Sequence, residues 1–295
     1  MVRETFVMPD GVSLPGFCWC SSGGRAPRGV FVAVHGFGGT GRVFDRPARS
    51  LSGLGITTYS YDQRGFGDAP RDVAWPGAAR LIDDVNAVAD LVRRRHPSVP
   101  LYLYGTSMGA AVILASARAR RLPDTEGVLL LAPALLGWGA FGLVNELLLR
   151  VVAAIAPNAR HKQWSRSLTG ISDNPELLHA VLNDPEIQAG TRFGALKGLL
   201  DLATTARGSG AALQAPTMLL FGRRDLPALT RQTRELAREI AGPKRVLLYT
   251  EGYHALDHDL QRENLFHDIQ AWLTDRSGQL PSTCTAPPAA EEVVA

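Results

Sequence analysis

Lysine is almost missing from this chain. Three of its 31 basic residues are lysines (Lys162, Lys197 and Lys244), which leaves 28 arginines. The net charge is only +3, too small a surplus for a protein that wraps nucleic acid, so no nucleic-acid partner is expected. The basic runs Arg93-Arg94-Arg95 and Arg118-Ala119-Arg120-Arg121 fall at the ends of apparent helices. There they meet the negative pole of the helix dipole and stay solvated. Cysteine is equally scarce: Cys18, Cys20 and Cys284 are too few for a disulfide framework. Cys18 and Cys20 stand two apart in an apparent strand, a spacing that disfavours a bridge. No second thiol or histidine pair stands at metal-ligand spacing, and the expected metal is none. An apolar leader is lacking too, because Met1-Val2-Arg3-Glu4-Thr5 opens a mixed polar stretch. The most apolar stretch, 132–156, is interrupted by Asn145, Glu146 and Arg150, which argues against a spanning helix. The expected location is the cytoplasm.

What is present is an ordinary globular mixture. Hydrophobic residues make up 45% and charged residues 20% of 295, which excludes a chain disordered throughout. The start reads as a hairpin, 5–8 and 14–20, around the turn Pro9-Asp10-Gly11. Short apolar runs then recur at 29–34, 57–61, 101–104 and 128–131, with helical patterns such as 78–95 and 110–121 between them. Continuous apolar runs suit strands covered on both faces, as in a parallel sheet with helical crossovers. The pattern breaks after Ala132-Pro133, and 135–207 reads as helices only. Asn174-Pro175 and Asp184-Pro185 look like capped helix starts. Strands resume at 217–221 and 245–249, with a last helix over about 261–275. The predicted division is a core over 1–134, a helical cap over 135–207, a second core part over 208–276, and a disordered tail over 277–295.

Chemistry points to Gly105-Thr106-Ser107-Met108-Gly109, which follows a strand and opens a helix. That is the pattern of a nucleophile elbow, in which small neighbours let the backbone turn sharply and lift the serine hydroxyl clear of the sheet. A serine needs a base, and His254 follows the last core strand. The base needs an acid to hold its tautomer, and Asp225 ends Phe221-Gly222-Arg223-Arg224-Asp225. All three stand at carboxyl ends of strands, where sites of open α/β sheets collect. Two N–H donors should hold a developing oxyanion: Met108, after the nucleophile, and Phe37, in His35-Gly36-Phe37-Gly38-Gly39. His258 is a local rival to His254. His35 reads as a structural histidine, and Asp62 and Arg64 as a buried pair fixing a loop.

With Tyr61-Asp62-Gln63-Arg64-Gly65-Phe66-Gly67 and His254-Ala255-Leu256, these motifs resemble the α/β-hydrolases of the monoacylglycerol lipase and lysophospholipase group over residues 5–275. Ser172-Asp173-Asn174-Pro175 also looks typical of bacterial members. The resemblance implies the α/β-hydrolase fold: a mostly parallel twisted sheet of about eight strands, helices on both faces, and a helical cap insertion. It implies a serine hydrolase acting on carboxylic esters with apolar acyl chains, no cofactor, a small-molecule ester or lipid as partner, and a cap open to transient membrane-surface contact. The chain departs from the group at Thr106, at Gly39-Thr40 and at Phe66, where histidine, an acidic residue and histidine are frequent. The same triad also serves thioesterases, acyltransferases, peptidases and C–C hydrolases, and a receptor without turnover is the reading from another class.

Overall fold

Every residue of the strand β3, Gly29–Val34, is buried in the computed structural model, as a run without a polar side chain requires. The structure describes residues 1–22, 26–162, 170–284 and 290–292. The other strands of the main sheet are β1 Val2–Val7, β2 Ser13–Trp19, β4 Ile56–Tyr61, β5 Leu101–Thr106, β6 Gly127–Leu131, β9 Thr217–Gly222, β10 Lys244–Tyr249 and β11 Ala290–Glu292. Among the described residues their order is β1-β2-β4-β3-β5-β6-β9-β10-β11. From β4 to β10 neighbouring strands run parallel, while β1, β2 and β11 pair antiparallel at the two edges. This is the α/β-hydrolase architecture.

Strand alternation splits the core in two. Val30, Val32 and Val34 face one apolar layer, and Phe31 and Ala33 face the other. The first layer takes Leu81, Val85 and Val92 of helix α2, Ala78–Arg95, and Val112 of α3, Met108–Arg118. The second takes Ala48 and Leu51 of α1, Asp45–Gly53, and Phe266, Ile269 and Trp272 of α9, Arg262–Thr274. Helix α8, Pro227–Glu239, joins the first layer through Leu236 and Ala237.

Between β6 and β9 lie α4 Leu143–Ile155, β7 Arg160–His161, α5 Pro175–Leu182, α6 Pro185–Ala189, β8 Thr191–Arg192 and α7 Phe193–Arg207. Asn174 caps α5 by accepting from the Glu176 N–H, and Asp184 caps α6 by accepting from Glu186 and Ile187, each with proline next in the chain. The expectation of helices alone misses one feature here: β7 and β8 form a two-residue antiparallel ladder. Two residues are too few to carry a period-2 signal.

The expected disordered tail departs from the structure as well. Leu280 is fully buried among the residues of the second layer. The Ser282 N–H donates to Asp268 Oδ1 at 2.9 Å within a short helix α10, Pro281–Cys284, and β11 runs along β10. Leu280 and the buried Ser282 anchor a stretch that holds few large apolar side chains. The remainder of that expectation, 285–289 and 293–295, lies outside the described residues. No helix among the described residues is long and apolar enough to cross a membrane.

Candidate active site

Ser107 sits between β5 and α3 with φ of +50°, a left-handed backbone that non-glycine residues rarely adopt. The turn is held by its neighbours. A Cβ on Gly105 would stand 2.6 Å from the Ala110 backbone, and one on Gly109 would stand 1.9 Å from the Val34 carbonyl oxygen. Only glycine permits both approaches. The Ser107 N–H donates to the Leu131 carbonyl at 2.9 Å, which fixes the elbow to the neighbouring strand end. Met108 is the first residue of α3, so its N–H has no intrahelical acceptor.

The loop after β3 packs against the serine. A Cβ on Gly36 would lie 3.3 Å from Ser107 Cβ, and Phe37, next in the chain, lines the same cavity as Ser107. Buried His35 anchors this loop. Its Nδ1–H donates to the Gly36 carbonyl at 2.7 Å, and its Nε2 accepts from the Gln63 N–H at 3.0 Å. Burial lowers its pKa, so the ring stays neutral, as these partners require. Phe66 stacks edge-on against both His35 and Phe37, at 5.8 and 5.3 Å between ring centres.

His254 and Asp225 are brought together by their loops. The Arg224 N–H donates to the Gly252 carbonyl at 2.9 Å, which ties the turn after β9 to the turn after β10. His254 Nδ1 then lies 2.8 Å from Asp225 Oδ2. The other oxygen, Asp225 Oδ1, accepts from the Leu226 N–H at 2.6 Å. Burial opposes protonation of His254, but the Asp225 carboxylate and its hydrogen bond outweigh that and raise its pKa. Ser107 and His254 line one cavity of about 570 Å³, in the range of ligand sites. Leu177 and Val181 of α5, Ile187 of α6 and Ala195 of α7 give it apolar lining, next to the charged Arg160, Asp184, Glu186 and Arg192. Glu186 at its edge is clamped between Arg71 at 2.6 Å and Arg160 at 2.9 Å.

Asp62 and Arg64 do not pair with each other. Asp62 accepts from the Gly41 and Asp68 N–H groups at 2.7 and 2.8 Å. Arg64 instead forks between Asp84, at 2.7 and 2.8 Å, and Asp10, at 2.8 and 2.9 Å. Asp10 is held down at about 2 by the Arg64 hydrogen bonds. The expected pair is therefore two separate devices. A short carboxylate next to glycines finds backbone amides nearer than a guanidinium that reaches away.

Sequence reasoning also missed a clasp on the His254 loop. Residues 170–174 cross it: the His254 and Ala255 N–H groups donate to the Gly170 and Ile171 carbonyls at 3.0 and 2.8 Å. Ser172 Oγ donates to Asp259 Oδ1 at 2.6 Å, and Asn174 Nδ2 to the His258 carbonyl at 2.7 Å. The polar run Ser172-Asp173-Asn174 before a proline was the available signal.

An α/β-hydrolase is what this sheet and this elbow make together. Within that class the chain belongs to the family described as serine aminopeptidase, S33, whose model matches residues 25–261. Similar proteins include a monoacylglycerol lipase of Mycolicibacterium smegmatis, 23% identical over 84% of this chain and 88% of that protein. Human monoglyceride lipase is 26% identical over 92% of this chain and 90% of that protein. Among solved structures, a soluble variant of the Saccharomyces cerevisiae monoglyceride lipase with a substrate analogue has the same fold, with a TM-score of 0.77 at 18% identity. It covers 94% of this chain and 96% of that one.

Proposed function

We propose that the chain is a carboxylic-ester hydrolase working through an acyl-enzyme on Ser107, with monoacylglycerols or lysophospholipid-like esters as substrates. The observation that carries this reading is the 2.8 Å contact of His254 Nδ1 with Asp225, on the wall of the cavity that also exposes the Ser107 elbow. With Nδ1–H donated to the carboxylate, Nε2 keeps its lone pair for the serine proton. Ser107 Oγ attacks the ester carbonyl carbon while His254 Nε2 takes its proton. The Met108 and Phe37 N–H groups hold the oxyanion. Collapse breaks the ester C–O bond, and the leaving alkoxide takes the proton from His254. Water then loses a proton to His254 as it attacks the acyl carbon, and Ser107 regains a proton as the carboxylic acid leaves. The apolar lining from Leu177, Val181 and Ile187 suits the acyl chain.

An aminopeptidase reading needs a carboxylate free to receive a substrate ammonium. Among the acids lining the cavity, Glu186 is engaged by two arginines, and Asp257 by Tyr104 and His258. This favours esters. The similarity to proteins named monoacylglycerol and monoglyceride lipases supports the same choice. The free thiol of exposed Cys20 fits a reducing cytoplasm, which cell fractionation reads directly.

The test is hydrolysis of p-nitrophenyl esters from two to sixteen carbons. We expect kcat/KM to peak at medium or long chains. Activity confined to the shortest esters would contradict the lipid reading. The helix α4 turns Leu143, Leu147, Leu148, Val151 and Ile155 outward, with Leu143 83% and Ile155 77% exposed. Such a stripe fits transient contact with a lipid surface. Serine at Leu147 and Leu148 together should weaken vesicle binding and leave short-ester hydrolysis unchanged. Unchanged vesicle binding would remove α4 from that role.

A further inference from the structure

His258 stands four residues beyond His254 and does a different job. It is 9% exposed, and both ring nitrogens face oxygen acceptors. Nδ1 lies 2.9 Å from Asp257 Oδ1, and Nε2 lies 2.9 Å from the Val43 carbonyl oxygen. A carbonyl can only accept, so Nε2 carries a proton. The second oxygen of Asp257 accepts from the Tyr104 hydroxyl at 2.7 Å, which stabilises its ionised form, and an ionised Oδ1 facing Nδ1 calls for a proton there too.

We propose that His258 is a positioning residue held as an imidazolium, whose charge locks the oxyanion side of the site to the His254 loop. Three parts of the site meet in this network. Tyr104 lies on β5, three residues before Ser107. Asp257 and His258 continue the His254 loop. Val43 belongs to the helical turn Gly41–Phe44, which follows the His35–Gly39 loop. Phe44 in that turn stacks on the Tyr104 ring at 5.3 Å between centres. A neutral imidazole has one N–H, so it would turn a lone pair on either the Asp257 carboxylate or the Val43 carbonyl, a repulsion that the charged ring avoids.

The groups facing His258 set the pH behaviour. Burial and Arg46 of α1 disfavour the charged ring. Asp257, its hydrogen bond and the Val43 carbonyl favour it and prevail, so its pKa is raised. Arg46 is itself drawn off by Glu176 at 2.7 Å. A group with a raised pKa keeps its charge below that value, so the lock is lost as pH rises through it. His254 must be neutral to accept the serine proton, so activity rises as pH passes its own pKa. His258 should lose its proton above the pH at which His254 becomes neutral, which gives kcat/KM a falling limb beyond the His254 rise.

The charge state is read without substrate, in wild-type protein, so it stands or falls apart from the ester-hydrolase reading. Imidazole 15N–1H spectra of histidine-labelled protein at neutral pH should give two ring-proton signals that vanish in His258→Gln. A single ring proton on His258 would overturn the proposal. In kinetics, His258→Gln should lower kcat by about ten- to a hundredfold, the scale of a catalytic group displaced by an ångström, with KM nearly constant and the falling limb gone. A wild-type kcat and an unchanged falling limb would overturn it. Tyr104→Phe keeps the ring packing and removes a donor to Asp257. The carboxylate then grips the shared proton more tightly, so the falling limb should move to higher pH. An unmoved limb in Tyr104→Phe would also count against the lock.

Discussion

Ser107→Ala should reduce ester turnover by about 10⁴- to 10⁶-fold, the range seen when a triad nucleophile is removed. The same variant should melt within about 1 kcal/mol of wild type, because it deletes only Oγ from a partly exposed side chain. The left-handed backbone at this position, φ +50°, is imposed by the approaches at Gly105 and Gly109, and alanine meets them with the same Cβ. Initial rates on a medium-chain p-nitrophenyl ester and a thermal melt check both halves. Turnover near wild type would mean that another residue attacks the ester. A large loss of stability would mean that the serine is there for the fold.

Asp225→Asn should cost nearly as much, about 10⁴-fold in kcat by the precedent of triads with this change. The two carboxylate oxygens here have distinct partners, which predicts how the loss arises. Oδ1 accepts from the Leu226 N–H at 2.6 Å, while Oδ2 faces His254 Nδ1 at 2.8 Å. In the variant the amide oxygen stays on the Leu226 N–H, since that position needs an acceptor. The amide NH₂ then points at His254 Nδ1 and forces it to accept. The imidazole proton moves to Nε2, which can no longer take the serine proton. KM should change little, because the cavity wall is untouched. A kcat within about tenfold of wild type would be too small for a tautomer reversal and would contradict the assigned role.

Much of this was legible in the sequence, for physical reasons. A strand such as β3 is apolar throughout because both of its faces are covered. The elbow was legible because a turn so tight demands glycine at two fixed offsets from the serine. What the sequence hid depends on distance in space. The partners of Arg64 are Asp10 and Asp84, far away in the chain, whereas Asp62 beside it turns to backbone amides. The order around Leu280 rests on that buried side chain and on a Ser282 hydrogen bond to the distant Asp268. His258 read as a competitor for His254. Its role follows from a carbonyl at Val43 that lies 215 residues away in the chain.

The most direct test of the central claim is covalent capture. A fluorophosphonate with an apolar chain should label the wild-type protein once near neutral pH, and peptide mass spectrometry should place the adduct on Ser107. Ser107→Ala should stay unlabelled. An unlabelled wild-type protein that still hydrolyses esters, or an adduct on another residue with Ser107 unmodified, would contradict an acyl-enzyme at this elbow.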